Sequence, residues 1–600
     1  MAEKEKQTTS SNNAEIQREE VSMNENSGEN DQPVEGENEE DTKYWFSYKF
    51  IGSFLGVVLL ANNVFIAYTI PVSILTVING DIGPSTDISM ISLVLTLVKG
   101  VLILIYGTLS DAFGRRWFLI LGQFISGIGS VVSAKAPNID VLVGGTAIIA
   151  FGGANQPLYP LFVQEIVPNK YRGIGQAIIT ATVLTFMGFG PLIGRTLVSH
   201  NTSNWRWVYW MNAILCFASS ALFFLCYFPP NFRQLHERKS RWALVKEIDF
   251  AGFFMYAGGL VALLLGFVWS TNAAGWGAPR AYVPVAVGAA ALIAFGFWEV
   301  YSTAKTKLIP TRHFKLRSYI PSIIVGAIGQ LGYFSLNLFW PQQITLLYHP
   351  TTEIRTGLIS STTGCALAAG EIVMGFILWH IKHTHIQTRV ACALLTLFMG
   401  LMAYANEERE AFAIAMTVLA GFSVGYVELL SAITVGLIAP PDEIGIANGF
   451  LASCRSITGT IASSVFLSIY ASRAAKEIPG KIGPAAEAAG LPVSSLPALL
   501  KAVTNGTAAA LQAVPGMTPA IKQAVTLSQE KAYAASFQTV YLSSIPFCAV
   551  ALIASFAVED VTKYMTNTIN KRIDGKRGIA DDALNRKAHD ETTETKVAED

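Results

Sequence analysis

Between Phe50 and Val558 the chain is a succession of apolar runs of about 20 residues separated by polar turns. About 20 residues is the length of α-helix that crosses ~30 Å of hydrocarbon. Within lipid every backbone N–H and C=O must find its partner inside the protein, and a helix satisfies them all within one segment. The length criterion gives about fourteen such segments. The chain is therefore read as an all-α integral membrane protein. Composition agrees, since 51% of the 600 residues are hydrophobic and 14% are charged, which is too apolar for a soluble protein of this size. The first segment is placed at Phe50 to Leu75, the fourth at Val141 to Val163, the fifth at Ala177 to Val198, the thirteenth at Ile446 to Tyr470 and the fourteenth at Phe537 to Phe556.

Outside these runs the sequence is polar. Residues 1–45 are rich in Glu, Asn, Ser and Gln and have no hydrophobic signal segment, so a disordered acidic cytoplasmic tail is expected there, with a second polar tail at 559–600. Residues 471–536 are rich in Ala, Pro, Leu and Gly and are read as a long outer loop, too polar to span, with short amphipathic helices and a passive capping role. Basic residues concentrate in alternate connections: Arg115 and Arg116, Lys170 and Arg172, then Arg233, Arg238, Lys239, Arg241 and Lys246, then Lys305, Lys307, Arg312, Lys315 and Arg317. These loops are expected on the cytoplasmic side, which puts both termini inside. The sequons at Asn201 and Asn505 fall in loops on the other side, as glycosylation would require. The zero net charge offers no nucleic-acid surface. The six cysteines show no metal-ligand spacing and are read as free thiols. No P-loop and no nucleophile or metal constellation is found, and His380, His383 and His385 are read as headgroup-level polar groups. No enzyme, cofactor or metal is expected, and the unit is taken as a monomer.

One turn carries more information than the rest. Gly107-Thr-Leu-Ser-Asp111-Ala-Phe-Gly114-Arg115-Arg116 joins the second and third segments. Its glycines permit close backbone approach and a tight turn, Asp111 offers a carboxylate, and the arginines sit at the headgroups. It resembles the G-x-L-x-D-x-x-G-R-[KR] signature of the major facilitator superfamily, matched at Gly107, Leu109, Asp111, Gly114, Arg115 and Arg116. The resemblance implies a fourteen-helix facilitator fold: two six-helix halves, 46–230 and 306–558, with a loop and two inserted helices at 231–305. It also implies that this turn latches one end of an alternating-access cycle; the plainer reading is that Arg115 and Arg116 are positive-inside anchors. Gly190-Pro191-Leu-Ile-Gly194 in the fifth segment resembles an antiporter motif, with Phe186 and Arg195 in place of the motif's outer glycines. Its proline is expected to bend the helix and set a hinge. The arginine that drug/proton antiporters carry in helix four is absent, the aligned stretch being Thr146-Ala-Ile-Ile149-Ala150.

Four charges stand near mid-segment: Lys99, Glu371, Glu428 and Arg455. Charges at bilayer depth are costly and are functional candidates by default. Two of each sign are expected to pair, either as static ion pairs between the halves or as proton-coupling groups, with Glu428 the first choice for proton carrier and Glu371 the second. Asn62, Asn63, Tyr68, Gln156, Gln330, Tyr333 and Asn337 form a candidate substrate surface, suited to a bulky, moderately polar molecule. The strings Glu165-Ile-Val-Pro-Asn-Lys-Tyr-Arg172-Gly, Trp205-Arg-Trp-Val-Tyr, Asp249-Phe-Ala-Gly252, Gly490-Leu-Pro-Val-Ser-Ser-Leu-Pro497 and Val514-Pro-Gly516 resemble fungal trichothecene efflux pumps, which neighbour the siderophore transporters. That resemblance implies a plasma-membrane (or vacuolar) exporter of a toxin, secondary metabolite or xenobiotic, driven by inward proton flow. The alternatives are proton-linked siderophore-iron uptake and a transporter-like receptor without net flux. The expected partners are a small molecule, protons and the bilayer.

Overall fold

A computed structural model describes residues 45–565 apart from 84, 86–87, 89, 230–248, 271–274, 303–306, 310, 351, 441–442 and 506–513. Residues 1–44 and 566–600, and the basic residues from Arg233 to Lys246 with Lys305, lie outside the described residues. Among those described there is no strand, and fourteen helices are long and apolar enough to cross a membrane.

The first half comprises α1 (Tyr48–Ile66 continued by Thr69–Ser73), α2 (Met90–Phe113), α3 (Arg115–Ala134), α4 (Ile139–Gly152 to Tyr159–Ile166), α5 (Arg172–Met187 and Gly190–His200) and α6 (Arg206–Cys226). Next come α7 (Phe250–Trp269) and α8 (Pro279–Tyr301). The second half comprises α9 (Tyr319–Gln343), α10 (Glu353–Ser360 and Thr362–His380), α11 (Thr384–Leu401), α12 (Glu410–Ile438), α13 (Ile444–Ala488) and α14 (Pro519–Ser555).

Three helices of the first half are broken, each for a local reason. In α4 a tighter 3-10 stretch, Gly153–Leu158, surrounds Pro157, which has no N–H to continue the α-helical ladder. In α1 the break precedes Pro71 and leaves Tyr68 between two segments. In α5 the break falls at Gly188 and Phe189, before the expected hinge proline. Pro191 instead occupies the first turn of the new segment, where a missing N–H costs nothing. Gly190 and Gly194 pack on Thr69, Ile70 and Ser73 of α1, so the outer segments of α1 and α5 form a pair.

The α7–α8 hairpin is fastened at one end by Asp249. Its Oδ1 accepts from Gly252 N at 2.9 Å, capping α7, and its Oδ2 from Trp298 Nε1 of α8 at 2.7 Å. Tyr256 and Leu260 of α7 pack with Val101 and Leu104 of α2, and the Tyr256 hydroxyl bonds to Ser453 of α13. The inserted pair therefore touches a helix from each half.

The region 471–536 departs from the expected loop. α13 runs for 45 residues and α14 for 37, well beyond the roughly 20 that a span needs, and their far ends pack with a short helix, Leu496–Asn505. Ile482, Leu499, Val503, Ile521 and Val525 form a separate apolar core there. Ile478, Ile482 and Ala486 recur every four residues, as do Ile521 and Val525, which is the stripe an amphipathic helix needs to bury. Gly490 ends α13, with Leu491 N reaching back to Ala486 O at 2.9 Å. At the same end of the bundle, Asp81 Oδ2 accepts from Trp205 Nε1 at 2.9 Å and Arg206 Nη1 at 2.8 Å, and Oδ1 accepts from Ser203 Oγ at 3.0 Å. Asn201 is exposed beside this clamp; Asn505 ends the cap helix, and the rest of its sequon lies outside the described residues.

Candidate functional site

Two places on the seam between the halves gather the residues singled out by sequence. At one end, Gly114 (φ 91°) turns the chain from α2 directly into α3. A Cβ on Gly107 would stand 2.6 Å from Gly445 O, so only glycine lets α2 meet α13 there. Asp111 Oδ2 accepts from Ile446 N at 2.9 Å, an N–H of the first turn of α13 that has no partner within its own helix. The carboxylate thus sits at the positive pole of a helix from the opposite half. Arg115, buried, pairs with both Asp111 and Glu165.

Glu165 was legible only within a family-like string and Arg172 there and as a basic loop residue; the structure buries both. Arg172 Nη1 donates to Gly436 O at 3.0 Å, two residues before α12 ends, where the carbonyls are unpaired and the helix pole is negative. The first half therefore presents an acid to the start of α13 and a base to the end of α12. Between them Gln164 Nε2 donates to Ala432 O and Asn448 Nδ2 to Gln164 Oε1, each at 3.2 Å. Arg116 takes no part in this grip: it donates to Phe224 O at 2.8 Å and lies over the Phe228 ring. Glu443, just before α13, is approached by His313 Nε2 at 2.8 Å and by Arg312. Burial works to raise its pKa, but the hydrogen bonds from His313 and Arg312 outweigh it and hold the carboxylate below its usual range.

Midway along the seam lies a cavity of about 190 Å³ lined by Tyr68, Lys99, Tyr159, Gln330, Tyr333, Glu371, Glu428 and Arg455, among others. One water needs about 10–15 Å³ on this measure, so the space is a chamber and not a packing defect. The four mid-segment charges all reach it, yet no ion pair joins them. Lys99 Nζ donates to Gln156 Oε1 at 2.8 Å. Arg455 donates to the backbone oxygen of Glu428 and to Ser431 Oγ, the latter at 2.7 Å. Glu371 Oε2 accepts from Thr180 Oγ1 of α5 at 2.8 Å, a bond between the halves. Glu428 Oε1 is buried without a hydrogen-bond partner.

Of the candidate substrate residues, Tyr68, Gln330 and Tyr333 line the cavity, whereas Asn62, Asn63, Gln156 and Asn337 do not. Asn62 Nδ2 donates to Val58 O at 2.8 Å. Asn63 and Gln156 belong to a buried amide network that sequence reading missed. In it Asn63 Nδ2 donates to Gln123 Oε1 at 3.1 Å, Gln123 Nε2 to Asn155 Oδ1 at 2.9 Å and Asn155 Nδ2 to the Tyr106 hydroxyl at 3.0 Å. Gln123 and Asn155 were visible only as amides inside apolar runs. Two of the lining rings meet in the chamber wall, Tyr68 lying edge-on to Phe334 with 6.3 Å between ring centres.

A family model described as fungal trichothecene efflux pump (TRI12) matches residues 33–598. The chain is 27% identical over 546 residues to the trichothecene efflux pump TRI12 of Fusarium sporotrichioides, covering 90% of this chain and 91% of that one. It is 28% identical over 462 residues to the MFS-type transporter prx5 of Penicillium rubens, covering 76% and 82%. The solved structure of the human organic anion transporter MFSD10 (TETRAN) aligns with a TM-score of 0.52 at 14% identity, over 85% of this chain and 99% of that one. That last likeness concerns the fold.

Proposed function

The chain belongs to the fungal trichothecene efflux pump family of major facilitator transporters, and from that premise we propose that it exports a fungal toxin, other secondary metabolite or xenobiotic in exchange for protons, by alternating access. The observation that carries the coupling is Glu428 Oε1, buried at the chamber wall with no hydrogen-bond partner while Arg455 is spent on a backbone oxygen and a serine. An unpaired ionised oxygen is costly there. A proton satisfies it, and so does a donor group on a ligand, so the two are rivals for one site. Asp111, Arg115, Glu165 and Arg172 serve as the latch, which opens when the first half lets go of α12 and α13. The basic residues on the latch side support a cytoplasmic position for that end and for both termini; the protein works as a monomer in the plasma membrane.

The test is direction-resolved flux in proteoliposomes with an imposed pH gradient, using fungal toxins, azole drugs and ferri-siderophores as probes. Gradient-driven movement of a toxin or azole away from the latch side is expected. Movement indifferent to the gradient would end the proton assignment, and flux of ferri-siderophores alone, toward the latch side, would end the export assignment. Export is preferred to siderophore uptake and to a receptor role because the pump from Fusarium sporotrichioides is matched over nine-tenths of both chains.

A further inference from the structure

A second groove, unconnected with the chamber, lies where α13 leaves the span. It is lined by Trp276, Val465, Ile469, Arg473, Lys476 and Thr539, together with Ser468 and Ser472. On α13 the sequence Val465, Ile469, Arg473, Lys476 advances by four, four and three residues, so the four share one face. That face changes character along its length. The apolar run of α13 ends at Tyr470, and Arg473 and Lys476 follow roughly 5 and 9 Å beyond it at 1.5 Å per residue, which is headgroup depth.

The other walls sit at the same level. Thr539 is near the start of the apolar run of α14. Trp276 stands on the turn Gly275–Gly277 between α7 and α8, edge-on to Phe267 at 5.4 Å, with 42% of its surface exposed. The hydroxyls of Ser468 and Thr539 donate to their own helices, at Ser464 O and Ala535 O, both 2.9 Å. The donors left for a ligand are Arg473, Lys476, the Ser472 hydroxyl and the Trp276 indole. Glu477 is held between Arg473 at 2.9 Å and Lys481 at 3.1 Å, so with Lys476 the cluster keeps a net positive charge.

We propose that this groove binds an anionic phospholipid, with an acyl chain along Val465 and Ile469 and the phosphate on Arg473 and Lys476. The order of apolar wall, interfacial tryptophan and paired cations matches the order of groups along such a lipid.

The full chain, purified in detergent and titrated with dioleoyl phosphatidylserine or dioleoyl phosphatidylcholine, is examined by native mass spectrometry. Phosphatidylserine is expected to be retained preferentially. Arg473→Ala with Lys476→Ala should weaken that retention roughly tenfold, and Glu477→Gln should strengthen it. These side chains sit on the surface of α13, and an unchanged melting temperature verifies the fold of each variant. Equal retention by the wild type and the double variant, or no preference between the two lipids, overturns the proposal. So does displacement of phosphatidylserine by millimolar inorganic phosphate, which would assign the cations to a free anion. None of these readouts depends on transport.

Discussion

Glu428 and Glu371 share one chamber but are held differently, and the difference separates their expected roles. Glu371 is tied across the seam to Thr180, whereas Glu428 Oε1 has no partner. Glu428→Gln should therefore leave substrate movement intact but independent of the pH gradient, as read in proteoliposome flux; Glu371→Gln should slow flux while keeping its gradient dependence. The opposite pattern would exchange the two assignments. Asp81 allows a test on stability. Hydrogen bonding from Trp205, with Arg206 and Ser203, holds its carboxyl below the usual aspartate value, against the effect of burial. A lowered folded-state pKa stabilises the fold above the unfolded value of about 3.9, and that contribution is lost as pH falls through the folded value. Asp81→Asn should cost about 2 kcal/mol near neutral pH, and its gap from wild type in thermal unfolding should narrow below pH ~4. A gap that stays constant into acid would remove the charge from the account. At this scale the sequence exposed every mid-membrane charge, because a charged letter inside an apolar run is conspicuous. It did not expose their partners, which are a serine, a threonine, an amide and a backbone oxygen with no such signal.

At the scale of elements, the close approach of α2 and α13 depends on Gly107. Gly107→Ala would place a methyl 2.6 Å from Gly445 O, closer than atoms pack, so the latch end should favour its open form. A cysteine in place of Ser456, in the chamber wall, should then react faster with an impermeant reagent applied from the latch side. No change in rate would mean that the seam absorbs the methyl. The cap built by α13 and α14 makes a separate prediction. Leu499 is fully buried in its core, and Leu499→Ala should cost about 2–5 kcal/mol locally, seen as faster proteolysis between α13 and α14 with flux retained. The sequence placed all fourteen spans because length and apolarity are local properties. It ended α13 too early and began α14 too late because a run that turns polar on one face loses mean hydropathy without ceasing to be helical. A proline lies near each place where α1, α4 and α5 depart from regular helix, but whether a proline breaks a helix or begins a new segment depends on the packing around it.

Across the whole seam, described contacts join the halves at both ends: Asp111 and Arg172 hold α13 and α12 on one side, and the outer segments of α5 and α10 meet on the other. A Cβ on Gly357 would lie 3.1 Å from Leu192 Cα. Replacing both with cysteine, Leu192→Cys and Gly357→Cys, should give a pair that blocks flux when oxidised and restores it on reduction, and undiminished flux in the oxidised protein would show that this contact need not part during transport. The sequence alone determined that the chain spans a membrane many times, which turn carries the facilitator-like signature and which charges fall inside apolar runs, because hydrophobic run length and a charge within it are written residue by residue. Only the tertiary structure decided that Asp111 and Arg172 meet opposite poles of α13 and α12, that Arg116 turns away, and that Asn63 and Gln156 belong to an internal amide network rather than the chamber wall. Those outcomes rest on contacts between residues far apart in the chain, and such contacts are set by how the helices pack.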